Sequence, residues 1–246
     1  MFGSPHHHFR ITDSTNERAK ELATAGAPGG LVVTADEQTA GRGRRGREWF
    51  APPGSCLLYT ALRRAFTAQE GTLLPLAVPL AVCEAAEGVA PVRCQVKWPN
   101  DVWVEERKVA GVLVEARPEE GWAVIGVGLN VAIPQDDFPP ELRETAISLL
   151  PTEAENGLPP EGASGIRRSL EALNESLGRW VRESDDEVLD AYRARDALTG
   201  RRISWEGGAA EGVAMEIDER GHLVVEKGNG ERLSLGAGEV HLTLGR

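Results

Sequence analysis

Cysteine is scarce: Cys56, Cys83 and Cys94 are the three in 246 residues, and no two stand in a C-x-x-C spacing. That arithmetic excludes a disulfide framework or a structural zinc site, and it predicts buried or idle thiols in a reducing cytoplasm. Long apolar runs are missing as well. The longest, from Thr72 to Ala86, is broken by Pro75 and Pro79 and is short for a membrane span. The N-terminus lacks an apolar h-region, so neither a signal peptide nor a membrane partner is expected, and the location expected is cytoplasmic. Positive charge is short too. A formal net charge of -11 argues against nucleic-acid binding by bulk charge. No GxxxxGK[ST] phosphate loop is present. His6, His7 and His8 read as a tag remnant or a disordered end, dispensable for activity.

What is present is unevenly spread. Residues 136–190 hold fourteen Asp or Glu and five Arg, a net of -9. Against that background "GRGRRGREWF", residues 41–50, is a basic island. Gly41, Gly43 and Gly46 allow tight backbone and close approach to a ligand. Arg42, Arg44, Arg45 and Arg47 each present a planar fork of donors suited to carboxylate or phosphate. Taken alone, the segment reads equally as a phosphate-gathering loop and as an RGG-like RNA-binding arm. With so little apolar surface to bury, it should be mobile by itself.

The length suits one sizeable core, or one core plus a small accessory domain. Ser14-x-x-Glu17 reads as a capping box that opens a helix, with Ala19, Leu22 and Ala23 on its apolar face and Gly26 and Pro28 ending it. "GLVVTAD" and "SCLLYTALR" read as strands, and residues 71–88 as a largely buried helix. A run of strands follows, "VRCQVKWP", "DVWVEERKVAGVLVEAR" and "GWAVIGVGLNV", the middle one folded into a hairpin at "EERK". Strands in consecutive groups point to a mixed sheet with helices packed on it. Residues 134–163 read as loop. From Ser164, the apolar stripe Ile166, Leu170, Leu173, Leu177 and Val181 describes a helix, and a second short helix falls near 185–196. From residue 198, Gly-rich turns separate the short strands "RRISWEG", "EGVAMEID", "HLVVEK" and "ERLSL", the pattern of a small β-barrel.

Two further segments carry chemistry. In "KWPND", Pro99 fixes a turn that sets Lys97 at a strand end and Asn100 and Asp101 on the loop. Lys108 then opens the next strand, and Gly111 gives close backbone access. Two lysines and an acid around one hairpin make a compact charged site, although spacing alone also allows a hairpin with incidental surface lysines. "GVGLN", Gly126 to Asn130, is a glycine-bearing strand that a flat ligand could approach.

Together, "DSTN", "EQTAGRGRRGREW", "KWPNDVWVEERKVAGVLVE" and "GVGLNV", in this order and spacing, resemble the biotin protein ligase family over about residues 9–135. The resemblance implies an α+β fold: a mixed β-sheet flanked by helices, of the class II synthetase-like type found in biotin/lipoate ligase catalytic domains. Residues 1–196 would form this domain, and residues 197–246 a small C-terminal SH3-like β-barrel. It implies ATP-dependent activation of biotin to biotinyl-5′-AMP, with Mg²⁺, and transfer to a lysine of a biotin carboxyl carrier protein.

By family match, Ser14, Thr15 and Gln38 would meet the ureido ring of biotin. Arg42, Arg44 and Arg47 would gather the biotin carboxylate and the ATP phosphates. Lys108 would sit at the carboxylate and α-phosphate beside Gly111, with Lys97 assisting. Trp49 would stack on adenine, Asn100 and Asn130 would lie along the nucleotide, and Asp101 would help hold Mg²⁺ and accept a proton from the incoming lysine. Some family members also repress transcription through an N-terminal helix-turn-helix. Thirteen residues before Ser14 are too few for one, so DNA is not an expected partner. Lipoate or octanoate ligases and transferases share the broad fold, but their "RRxSGGG" type of stretch is absent here. An exposed sheet edge could pair two copies, and the sequence does not decide between monomer and homodimer.

Overall fold

The computed structural model describes residues 2–67, 73–150, 162–236 and 240–242. Its first sheet is built from β1 (His6–Thr12), β2 (Val32–Gln38), β3 (Cys56–Arg64), β4 (Gln95–Lys97), β5 (Asp101–Val104), β6 (Arg107–Arg117) and β7 (Trp122–Asn130). They lie in the order β1-β2-β3-β7-β6-β5-β4. Only the β1–β2 pair is parallel, so the sheet is mixed.

Side chains alternate across a strand, and here that alternation decides where the site lies. Tyr59 and Ala61 of β3 and Ile125, Val127 and Leu129 of β7 face α2 (Leu74–Val89), α3 (Gly162–Trp180) and α4 (Asp185–Arg195) in the main core. On the opposite face, Leu62, Trp122 and Val124 pack under Ala19 and Ala23 of α1 (Thr15–Thr24). Farther along that face, Cys56 and Leu58 pack under Ile133, Phe138 and Ala146, with Trp49 and Phe50 against them. Between these two patches stand Thr60, Gly126, Gly128 and Gly111, paired as Thr60↔Gly126 and Gly111↔Gly128. Small residues there leave the sheet surface open.

The α3 stripe behaves as its spacing predicts: Leu173 and Leu177 are buried, and Ile166, Leu170 and Val181 pack partly buried beside them. The α4 helix carries a complete capping box between Ser184 and Glu187. The "EERK" hairpin turns on Glu105 (φ 51°) and Glu106 (φ 61°). Both are left-handed, a conformation such turns usually give to Asn or Gly.

Three expectations are corrected. His6–His8 are not a disordered end: they open β1, in register with Val32–Thr34, and the His6 and His8 rings both reach the Thr34 hydroxyl, at 2.8 and 3.0 Å. Ser14 is the N-cap of α1, but its side chain makes no capping bond, and Glu17 turns instead to Lys20 and Arg42. The stretch 134–163 is not all loop: Gln135–Asp137 form a 3-10 turn and α3 begins at Gly162, while residues 151–161 lie outside those described.

A second sheet, entirely antiparallel, holds β8 (Arg202–Trp205), β9 (Ala210–Ile217), β10 (Leu223–Glu226), β11 (Arg232–Leu235) and β12 (Val240–Leu242), in the order β11-β10-β9-β8-β12. Short and strongly turned, it is consistent with the SH3-like barrel expected. Its Ile203, Trp205, Ile217 and Leu223 belong to the same buried cluster as α2, and Trp98 Nε1 donates to Gly221 O across the junction at 3.0 Å.

Candidate active site

The open patch of the sheet is the floor of a cavity of about 680 Å³. All thirteen residues singled out in the sequence line it: Ser14, Thr15, Gln38, Arg42, Arg44, Arg47, Trp49, Lys97, Asn100, Asp101, Lys108, Gly111 and Asn130. Arg45 lines it as well. The loop therefore turns its arginines onto a cavity rather than standing out as an arm.

One end of the cavity is neutral and polar. The start of α1 is set against the end of β2, where Gln38 Oε1 accepts from the Thr15 N–H at 2.7 Å. The Ser14 hydroxyl, freed from capping, has no protein partner among the described residues. Asn16, which the sequence reading did not single out, lines this end too, and its Oδ1 would lie 2.2 Å from a Cβ at position 126. Gly126 is thus required by the Asn16 side chain above it.

The other end is charged. The β4–β5 turn and the start of β6 converge so that Lys108 Nζ pairs with Asp101 Oδ1 at 2.7 Å. Lys108 is held from a second side: its N–H donates to Thr145 O at 2.7 Å and its carbonyl accepts from the Ile147 N–H at 3.0 Å. The Pro/Glu-rich segment after β7 thus helps position the lysine. Lys97 lies over the Trp103 ring, 5.3 Å from its centroid. Asn100 accepts from Arg44 at 3.1 Å and donates to Val112 O at 2.9 Å. Asn130 donates to Ile147 O at 3.1 Å. Both amides thus brace the cavity wall.

Residues 41–50 form a closed loop. The backbones of Arg42 and Glu48 make an isolated antiparallel β-bridge, the Trp49 N–H donates to Gly41 O at 3.1 Å, and Arg45 (φ 57°) turns the tip. Arg42 pairs with Glu17 of α1 at 2.6 Å. Trp49 lies flat on the glycine floor, with Lys108 Nζ 5.4 Å from its ring centroid. A Cβ at Gly128 would come within 2.4 Å of the indole, and one at Gly111 within 3.1 Å. Gly128 of "GVGLN" and Gly111 therefore seat a tryptophan directly, where the sequence suggested only a flat ligand. The indole Nε1 is buried without a partner.

Glu48, Asp101, Glu106 and Glu144 line the cavity, but among the described residues no three His, Cys, Asp or Glu gather as a metal site. Mg²⁺ takes one or two carboxylates together with substrate phosphates, so Asp101 fits a minor role. The three cysteines are free and buried, as expected, and burial pushes the Cys56 thiol up to about 12. No described helix is long and apolar enough to cross a membrane.

A neutral polar pocket and a cationic pocket meet over a glycine floor, an arrangement whose chemistry suits a ligase that activates an acid. Comparison with known proteins places this class. Residues 8–131 match the model of the Biotin/lipoate A/B protein ligase family. The biotin–[acetyl-CoA-carboxylase] ligase of Mycobacterium tuberculosis is 35% identical over 239 residues, covering 93% of this chain and 85% of that one. That of Paracoccus denitrificans is 34% identical over 241 residues, covering 93% and 97%. The biotin protein ligase of Aquifex aeolicus, solved with biotin and ATP, superposes with a TM-score of 0.75 at 25% identity, over 98% of this chain and 100% of that one. The chain belongs to the biotin protein ligase family and is a ligase.

Proposed function

We propose that this chain joins biotin to ATP and then to a carrier lysine. A biotin carboxylate oxygen attacks the α-phosphorus of ATP, forming biotinyl-5′-AMP as the bond to pyrophosphate breaks. The ε-amine of a lysine on a biotin carboxyl carrier domain then attacks the acyl carbon; the amide forms, AMP leaves and the amine gives up a proton. The observation that carries the reading is the cavity that holds Ser14, Thr15 and Gln38 at one end and the Lys108–Asp101 pair at the other, with Arg42, Arg44 and Arg47 in its lining.

Two anions must meet for the first step. Lys108 and the loop arginines lower the repulsion between carboxylate and phosphate and stabilise charge in the transition state. Lys97 assists at the phosphates. Trp49 offers its ring to adenine, with Asn100 and Asn130 along the nucleotide wall. Mg²⁺ would arrive with ATP, and Asp101 would supply one oxygen to it. Asp101 is also the base nearest Lys108 for the proton of the incoming amine. The carrier is a carboxylase domain, such as that of an acetyl-CoA or pyruvate carboxylase, and the setting is cytoplasmic. Residues 1–196 act as the catalytic unit and residues 197–246 as an accessory SH3-like unit.

Pyrophosphate release with biotin, lipoate or octanoate as the acid tests the substrate class. Release with biotin alone supports this reading. Release with lipoate or octanoate but not with biotin would overturn it.

A further inference from the structure

Lys108 stands where the sheet stops supporting it on both sides. The β6–β7 ladder ends at Ala110↔Leu129, and the β5–β6 ladder shifts register between Val102 and Trp103, beside the Trp103↔Lys108 pair. Past that point the Lys108 backbone bridges to Ala146, through the bonds to Thr145 O and from the Ile147 N–H. The returning chain is tied to the end of β7 in turn, where the Leu149 N–H donates to Asn130 O at 3.0 Å. The place of the Lys108 backbone therefore depends on the shape of the loop over 134–147.

Pro134, Pro139 and Pro140 take three N–H donors out of that loop. Two side chains supply donors across it, each reaching from one limb to the other. Arg143 donates from Nε to Phe138 O and from Nη2 to Asp136 O, both at 2.9 Å. Gln135 Nε2 donates to Arg143 O and, at 3.2 Å, to Ala146 O. Carbonyls only accept, so a guanidinium fork and an amide NH₂ are the groups this clamp needs. Thr145, whose carbonyl receives the Lys108 N–H, lies in the chain between the two carbonyls that Gln135 holds. Thr145 and Ala146 line the cavity, whereas Arg143 and Gln135 are not part of its lining.

We propose that Arg143 and Gln135 are positioning residues for adenylation: by clamping the 134–147 loop they fix the Lys108 backbone, and with it the reach of Nζ to the reacting carboxylate and phosphate. The inference rests on the reading of Lys108 as the cation at those two groups. Misplacing a group at the reacting centre by about 1 Å can cost about 10²-fold in rate. Here the Trp103 pairing still holds Lys108 from the β5 side, so losing the clamp costs less than that.

The test is a double-mutant cycle on single-turnover pyrophosphate release at saturating biotin and ATP. Arg143→Ala should slow release about tenfold with Lys108 present and less than about twofold in the Lys108→Ala background, because the clamp acts through a side chain that is then gone. Arg143→Lys loses the planar fork that serves two carbonyls but keeps a donor, and should slow release by only about threefold. Biotin Kd by calorimetry should stay within about threefold of wild type in each variant, since the neutral end is built from α1 and β2. Should Arg143→Ala fail to fold, Gln135→Ala in the same two backgrounds carries the test, with a loss of about fivefold, one net hydrogen bond, that disappears under Lys108→Ala. Equal slowing in both backgrounds, or no slowing in either, overturns the inference while leaving Lys108 in the mechanism. Near-normal release by Lys108→Ala alone overturns both.

Discussion

At the scale of single residues, the account turns on Lys108 and on the glycines under Trp49. Lys108 faces the charged end, away from the hydroxyl and amide groups proposed to hold the biotin ring. Lys108→Ala should therefore keep biotin Kd within about tenfold while adenylation falls by about 10²–10³. Single-turnover pyrophosphate release checks it, and near-normal release would remove Lys108 from the mechanism. Gly128→Ala puts a Cβ into the Trp49 indole, 2.4 Å from Cε2. The ring must lift off its floor, so KM for ATP should rise about tenfold and biotin Kd should change little, by the cost of misplacing one stacking group. Equal effects on both ligands would show that Trp49 serves no nucleotide-specific role. The charged and polar site residues were legible in the sequence because their types match carboxylate, phosphate and amide chemistry. Asn16 was not, because an asparagine in the first turn of a helix looks ordinary alone. Only the packing of α1 over Gly126 brings it to the cavity.

At the scale of elements, the 41–50 loop and β1 behave differently from their composition. The loop is closed by the Arg42–Glu48 β-bridge and held to α1 through the Arg42–Glu17 pair. Arg42 is more than half exposed there, so the pair contributes little, and ligand anions can draw the arginine away. Biotin with a non-hydrolysable adenylate should then protect residues 41–50 from limited proteolysis. Equal cleavage with and without ligand would contradict loop closure. Strand β1 opens with three histidines, a composition that resembles an appended tag. Its ladder to β2 depends on backbone groups, which composition does not reveal. Deleting residues 1–8 should cost about 1–3 kcal/mol, from a few lost ladder bonds, read as a lower urea midpoint with biotin Kd unchanged. An unchanged midpoint would show that this edge is dispensable. The helices and most strands were legible from periodicity. Strand β12 was not, because its three residues, Val240–Leu242, are too few to show an alternation.

At the scale of the whole molecule, the two sheets share one buried cluster, and β12 of the second sheet lines the cavity of the first. The change from helices to short turned strands after residue 197 was visible in the sequence. That the two parts would join around Trp98 was not, since a tryptophan beside a proline carries no sign of its distant partner Gly221. The Arg201–Glu106 pair, at 2.8 Å, ties the second sheet to the hairpin that presents Asp101 and Lys108. This arrangement supports a ligase in which the acid, the nucleotide and an incoming carrier meet over one floor. The most direct measurement is transfer of labelled biotin to a carboxylase carrier domain, with and without ATP, beside a carrier whose acceptor lysine is changed to arginine. The account predicts label on the unaltered carrier alone and only with ATP. Label that appears without ATP, that reaches the arginine variant equally, or that never reaches the carrier would contradict it.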